Sequence, residues 1–275
     1  MLIKSKSKEE LNAENLITVE NFRLIDDDFM RIVFQDDLEL AQFVLRIITG
    51  IDDLMLTREE TQYELKRQGS RAVCLDVHGV DNKGTVYDLE IQRSNTGAEP
   101  ERARYHSSMI DITNLQPRKP FRSLPTSYVI FITENDVMGD DELVYEYERR
   151  NIRTGKPLND RSHIIYVNTA YNHPEDKSTL AELARDFRCK RADDMQLKEL
   201  ADRVRFFKET EEGVSQVCEA IEKIRNEAEL LKAYDIALSL LDMGIASHEQ
   251  VAQATGLSLE DVEELAKQQT VGAGA

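Results

Sequence analysis

A chain of 275 residues, 41% of them apolar, has enough hydrophobic material for one large or two modest domains. Its formal net charge of −17 excludes a broadly basic coat for nucleic acid, because phosphates attract positive surfaces. No apolar run approaches the roughly 18–20 residues of a membrane span, and the N-terminal MLIKSKSKEELNAEN is charged where a signal peptide would be apolar. Cys74, Cys189 and Cys218 are far apart and lack C-x-x-C spacing, so the expectation is a cytoplasmic protein with neither a disulfide scaffold nor a structural zinc.

Residues 1–15 read as a mobile polar leader. From Asp28 onward, Phe29, Ile32, Val33, Leu40, Phe43, Val44 and Ile47 fall at helical spacings, and Gly50 suits a helix stop, so one or two helices precede any sheet. A first strand is expected over 54–66, a hairpin over 71–80 and 85–92, and a helix over 99–115 that breaks at Pro117 and Pro120. Strand patterns return at 127–133, near 144–152 and at 163–168; after about 175 only helical patterns remain, over 178–188, 194–209, 213–241 and a short terminal pair. The expected organisation is an α/β domain over 16–172, a mixed sheet flanked by helices, followed by an all-helical extension over 173–275.

The hairpin CLDVHGVDNKGTVYDLEIQR carries the chemistry. If Asn82, Lys83 and Gly84 form a three-residue loop with Gly84 left-handed, Asp81 pairs with Thr85, and counting outward sets His78 opposite Asp88, Asp76 opposite Glu90 and Cys74 opposite Gln92 on one face. Leu75, Val77, Leu89 and Ile91 fall on the other face, toward the core. Facing carboxylates repel unless compensated, and a divalent cation is the simplest compensation. The plain alternative is one wet face of an antiparallel sheet, with Asp81 and Asp88 as carboxylates that need no role. Magnesium takes oxygen ligands and retains several waters, so Asp76, Glu90 and the backbone carbonyl of Ile91 are a sufficient set, with Mn²⁺ as the other candidate ion. Gln92 is placed to orient the attacking water or a phosphate oxygen. It cannot accept a proton as a lysine amine might.

Other signals point less sharply. His163, His173 and His248 show no ligand spacing, pairing with Asp88 is the simple account of His78, and a buried thiol is the default for Cys74 in a strand. Between 99 and 125, Arg102, Arg104, Arg118, Lys119 and Arg122 outnumber Glu99, Glu101 and Asp111, giving a basic zone close in sequence to the hairpin. From 210 to 275 there are 13 Asp or Glu against 4 Lys or Arg. Within that stretch HEQVAQATGLSLEDVEELAKQ sets Ala252, Gly256 and Val262 at helix-turn-helix offsets, but Glu260, Asp261, Glu263 and Glu264 on its second helix favour a packing or protein-contact module over DNA reading.

The run RAVCLDVHGVDNKGTVYDLEIQR followed by ERARYHSSMID resembles the PD-(D/E)xK nuclease superfamily, and within it the recombination-promoting nuclease group often described as transposases. That group has an Arg-Leu-Asp-Val-like strand, a Gly-containing turn, a strand ending in Glu-x-Gln, and a helix with Arg-x-x-Tyr-Tyr. Asp76 matches the aspartate, Glu90 and Gln92 the Glu-x-Gln pair, and Arg102 and Tyr105 the helix, while Cys74 and His106 stand where Arg and a second Tyr are usual. Asp28 and Phe29, with Arg31 nearby, resemble the group's opening Asp-x-x-Phe-Lys segment, and the similarity runs over about residues 24–225. The resemblance implies a restriction-endonuclease-like fold and Mg²⁺-dependent cleavage of DNA, linked to recombination or mobile elements. It makes Arg102 and Tyr105 contacts to the DNA backbone, with His106 either near phosphate or packed at an interface. The competing expectation is a nuclease-fold protein that cleaves poorly and works through a protein partner or self-association of its acidic C-terminal helices.

Overall fold

The computed structural model describes residues 8–65, 73–244 and 246–272, and these divide into two compact units, Met1–Val217 and Cys218–Ala275. In the first unit three helices, α1 (Lys8–Asn21), α2 (Asp27–Phe34) and α3 (Leu38–Thr49), precede a six-stranded sheet. Residues 8–15, expected to be a loose leader, are helical, and Asn15 and Val19 are buried. Helix α3 begins where the Asp37 side chain accepts a hydrogen bond from the Leu40 amide and ends at Gly50, whose φ of 66° forms the left-handed stop expected of it.

The strands are β1 (Leu56–Leu65), β2 (Val73–Asp81), β3 (Val86–Gln92), β4 (Ser127–Thr133), β5 (Val144–Tyr147) and β6 (Ser162–Asn168), in the order β1-β2-β3-β4-β6-β5. β3 and β4 are parallel, as are β4 and β6, and the other pairs are antiparallel, so the sheet is mixed. A parallel pair needs a crossover, and α4 (Pro100–Asn114) supplies it between β3 and β4. β5 is shorter than the expected 144–152, because the chain turns at Asn151, whose side-chain oxygen accepts from the amides of Arg153 and Thr154.

β3 and β4 are buried along nearly their whole length on both faces. On one face α4 places Ala103, Met109 and Ile110 against a cluster with Val86, Val129, Phe131 and Tyr166. On the other α3 approaches β2, with Leu45 and Leu56 beside Gly79. The hairpin face that carries Asp76, His78, Asp88 and Glu90 is therefore not a wet surface: all four residues are at most 4% exposed.

Helices α5 (Thr179–Asp186) and α6 (Lys198–Glu209) pack on α3 and α2 respectively, so the first compact unit runs past the expected boundary at 172. Asp186, fully buried, ties the intervening loop by accepting from the amides of Gln196 and Leu197 at 2.8 Å each. The second unit holds most of the 33-residue α7 (Glu211–Met243), then α8 (His248–Thr255) and α9 (Leu259–Gly272). Its core is Ala237, Val251, Leu257 and Val262. Ser247 and Gln250 form a capping box at the start of α8, and Gly256 ends it at φ 77°.

Candidate active site

The β2–β3 hairpin has the register expected from its turn. The Asp81 amide donates to the Thr85 carbonyl at 3.0 Å, Gly84 has φ 79°, and the ladder pairs Val80 with Val86, His78 with Asp88 and Val77 with Leu89. Beyond Val77 and Leu89 side chains replace the backbone ladder. The Asp76 amide donates to Glu90 Oε1 at 3.0 Å, and the Ile91 amide donates to Asp76 Oδ2 at 3.0 Å. Each carboxylate is thus fixed by backbone at the other strand's end of the pair, and the two become neighbours. Because N–H and C=O of one strand residue point to the same side, the Ile91 carbonyl opens toward β2 as its amide does.

This junction forms one wall of a cleft of about 900 Å³ lined by, among others, Asp27, Arg31, Gln62, Cys74, Asp76 and Gln92 on one side and Gly97, Arg102, Tyr105 and His106 on the other. Asp76, Gln92, Arg102, Tyr105 and His106, all expected at the site, are brought together here, with Glu90 directly behind. Asp28 is not. It faces outward from the start of α2 with its side chain 44% exposed, and its neighbour Asp27 lines the cleft in its place. Cys74 is exposed on the cleft wall instead of buried, since it shares the strand face of Asp76 where the ladder has opened. Arg71, the arginine nearest to Cys74 along the strand sequence, where the resemblance would have an arginine, lies outside the described residues.

Two guanidinium groups meet the acids. Arg31 of α2 lies 3.3 Å from Asp76 Oδ1 and 2.6 Å from Asp27 Oδ2. Arg102 of α4 donates to Glu90 Oε2 at 3.1 Å and, through Nε, to His106 Nε2 at 3.3 Å. His106 Nδ1 lies 2.9 Å from Asp88 Oδ2, so His106, not His78, is the partner of Asp88. His78 instead stacks on Tyr63 with ring centroids 4.4 Å apart. Asp88 is fully buried, and its Oδ1 has no hydrogen-bond partner.

Burial dominates the electrostatics. It lifts Asp88 to about 8, with Asp76 adding to the rise and the Glu90 hydrogen bond and Arg102 opposing it. It also raises Glu90 well above the ordinary carboxylate range, helped by Asp88 and Asp76. Burial and the nearby Asp76 lift Asp27 to about 6, and burial lowers His106, which favours the neutral imidazole. Four carboxylates therefore face two guanidinium groups, and the chemistry of this donor set fits a cation. Asp88, Glu90 and His106 each offer a ligand atom within 4.8 Å of the others.

Two further residues were not singled out from the sequence. Gln62 lies in β1 between residues that pair with Val77 and Leu75, yet has φ 56°. A left-handed non-glycine residue within a strand is strained by roughly 1–3 kcal/mol, and turning the amide so that its oxygen faces Arg31 gives contacts of 2.7 and 3.2 Å. Gly97, at φ 133°, lets Gln92 approach: a Cβ there would meet Gln92 Oε1 at 2.5 Å. A glycine shortly after Glu-x-Gln was a legible cue for close approach. Nothing in the β1 pattern marks Gln62.

The basic zone over 99–125 disperses in space. α4 carries the chain away from the cleft for 15 residues, about 22 Å at 1.5 Å per residue. Arg118, Lys119 and Arg122 follow its far end, and the Arg122 carbonyl accepts from Arg161 at the start of β6, leaving Arg102 as the basic residue of that zone in the cleft.

A family model described as PD-(D/E)XK nuclease family transposase matches residues 39–247, about three quarters of the chain. No curated protein and no solved structure matches it.

Proposed function

Because the chain belongs to the PD-(D/E)XK nuclease family transposases, we propose that it is a Mg²⁺-dependent DNA endonuclease whose centre is Asp76, Glu90 and Gln92. The interlocked pair carries this reading: two acids on adjacent strands, each held by a backbone amide of the other's strand, with Asp76 on the wall of an open cleft and Glu90 directly behind it. Asp76, Glu90 and the Ile91 carbonyl would hold the ion. When bound, magnesium neutralises charge on the phosphate and activates water for attack.

The chain's own groups supply positioning. Gln92, against Gly97, orients water or a phosphate oxygen by hydrogen bonding, and as a neutral amide it neither gives nor takes a proton. A non-bridging oxygen of the substrate phosphate is then available for that proton. Arg102 and Tyr105 face the cleft from successive turns of α4 and would engage the DNA backbone, with Arg102 leaving Glu90 to do so. His106, at 3% side-chain exposure, supports Glu90 and Asp88 more directly than it could reach phosphate. Cleavage of this kind suits a role in recombination or in mobile elements.

Nicking of supercoiled plasmid tests the assignment. Wild type is expected to nick with Mg²⁺ and stop on chelation, and Asp76→Ala to be inactive. Equal, metal-independent nicking by both proteins would sink it.

The C-terminal helices support protein contact. Glu260, Glu263 and Glu264 are exposed on α9, while Leu230 and Leu231 of α7 are 47% and 65% exposed. Sedimentation should show an assembly with itself or a partner that Leu231→Glu weakens, and an assembly indifferent to that change would remove the apolar row from the interface.

A further inference from the structure

Asp88 and Glu90 pose a problem that the proposed magnesium centre does not solve. Both are fully buried, and they are neighbours on the same strand face, yet Asp88 Oδ1 has no hydrogen-bond partner and the cations within reach are few. Of the carboxylate oxygens here Arg102 takes only Glu90 Oε2. Two carboxyl groups in such a place must share either a proton or a second cation.

The third member of the group distinguishes these options. His106 presents Nδ1 to Asp88 Oδ2 at 2.9 Å and to Glu90 Oε1 at 3.9 Å, while Nε2 and Glu90 Oε2 both face the Arg102 guanidinium, at 3.3 and 3.1 Å. A proton shared by two carboxyls needs no imidazole. A transition-metal ion welcomes one, because nitrogen donors favour ions such as Mn²⁺ and Zn²⁺ over Mg²⁺. All three ligand atoms can be drawn from within 4.8 Å of one another, a span that one ion can bridge with small side-chain adjustment.

We propose that Asp88, Glu90 and His106 form a second metal site, selective for a transition-metal dication and sharing Glu90 with the magnesium centre. Arg102, whose side chain is 37% exposed, covers this position from the cleft and stands in for the ion when it is absent. It moves aside on loading, so the same side chain becomes free for phosphate as the second ion arrives. The inference rests on the proposed nuclease centre only through the shared Glu90.

Mn²⁺ binding to the full chain, followed by electron paramagnetic resonance, tests it. Wild type is expected to bind two Mn²⁺, one of them showing hyperfine coupling to an imidazole ¹⁴N. Asp76→Asn should keep the nitrogen-coupled ion and lose the other. His106→Gln should lose the coupling and weaken that site about 10-fold to 100-fold, with circular dichroism confirming the fold. Asp88→Asn provides a second variant with the same expected loss. One ion without nitrogen coupling in wild type would overturn the second site and leave the Asp76 centre standing, with the carboxyls sharing a proton. One ion with nitrogen coupling that survives Asp76→Asn would uphold this site and count against the Asp76 centre. Unchanged coupling in His106→Gln would overturn it.

Discussion

Glu59 shows how a single half-buried acid sets the pH response of this molecule. Its Oε1 has no hydrogen-bond partner, and burial, with Asp36, Asp37 and Glu60 nearby, lifts it from 4.5 to about 7. A carboxyl whose folded value exceeds its unfolded value costs nothing below about pH 4.5, where both states are protonated. The cost grows as pH rises and is complete above about 7, since the unfolded chain then ionises more readily. Glu59→Gln should therefore match wild type near pH 4 and exceed it by about 1–3 kcal/mol at pH 8, allowing for solvent screening. Denaturant titrations at the two pH values check this, and an equal difference at both would refute it. The acids of the cleft follow the same sign, Asp27 through about 6 and Asp88 through about 8, unless a bound cation holds them ionised. Their cost is the kind of instability that a functional centre tolerates.

At the level of elements, the hairpin is the part that local rules decide. Gly84 has φ 79°, and a Cβ there would meet nothing within 4 Å, so Gly84→Ala incurs only the left-handed backbone cost of about 1 kcal/mol. The variant should melt lower by that amount while nicking plasmid at the wild-type rate; a large loss of nicking would mean that the turn does more than set register. That same turn made the strand register of His78 with Asp88, and the approach of Asp76 to Glu90, legible from sequence, as alternation made the core face of Val77, Leu89 and Ile91 legible; Leu75, expected on that face, packs instead with Val86, Val129 and α4, where the β2–β3 ladder has opened. The strands, the crossover helix and the helical C-terminus were readable for the same reason: their periodicities are local.

What was not legible depended on contacts distant in sequence. The burial of Asp88 follows from α4 crossing over the hairpin, 18 residues from Asp88 to His106, and the choice of Asp27 over Asp28 follows from how α2 is rotated toward Arg31 and Asp76. The left-handed turn at Gln62 is a tertiary compromise against strand propensity. The helical state of residues 8–15 likewise depends on what buries Asn15, since α1 has little amphipathic pattern of its own.

For the whole molecule, a charge of −17 and the proposed nuclease centre are compatible because the acids are unevenly placed and because Arg31 and Arg102 pair with Asp76 and Glu90 at the cleft. Thirteen of the acids lie between 210 and 275, a region that from Cys218 on belongs to a unit with its own core. In the function proposed above, association with DNA would rely on a few contacts at the cleft, with bound cations reducing its negative charge, and not on a broad basic surface. Glu90, in the function proposed above, is an acid kept for chemistry at the expense of stability. Its isosteric replacement Glu90→Gln separates the two, since the amide can still accept from the Asp76 backbone while removing a buried charge. Single-turnover cleavage of plasmid DNA in Mg²⁺ is the direct measurement. A fall of roughly a thousandfold is expected in a protein that melts no lower than wild type; cleavage by Glu90→Gln at the wild-type rate would remove the Glu90 carboxylate from the chemistry.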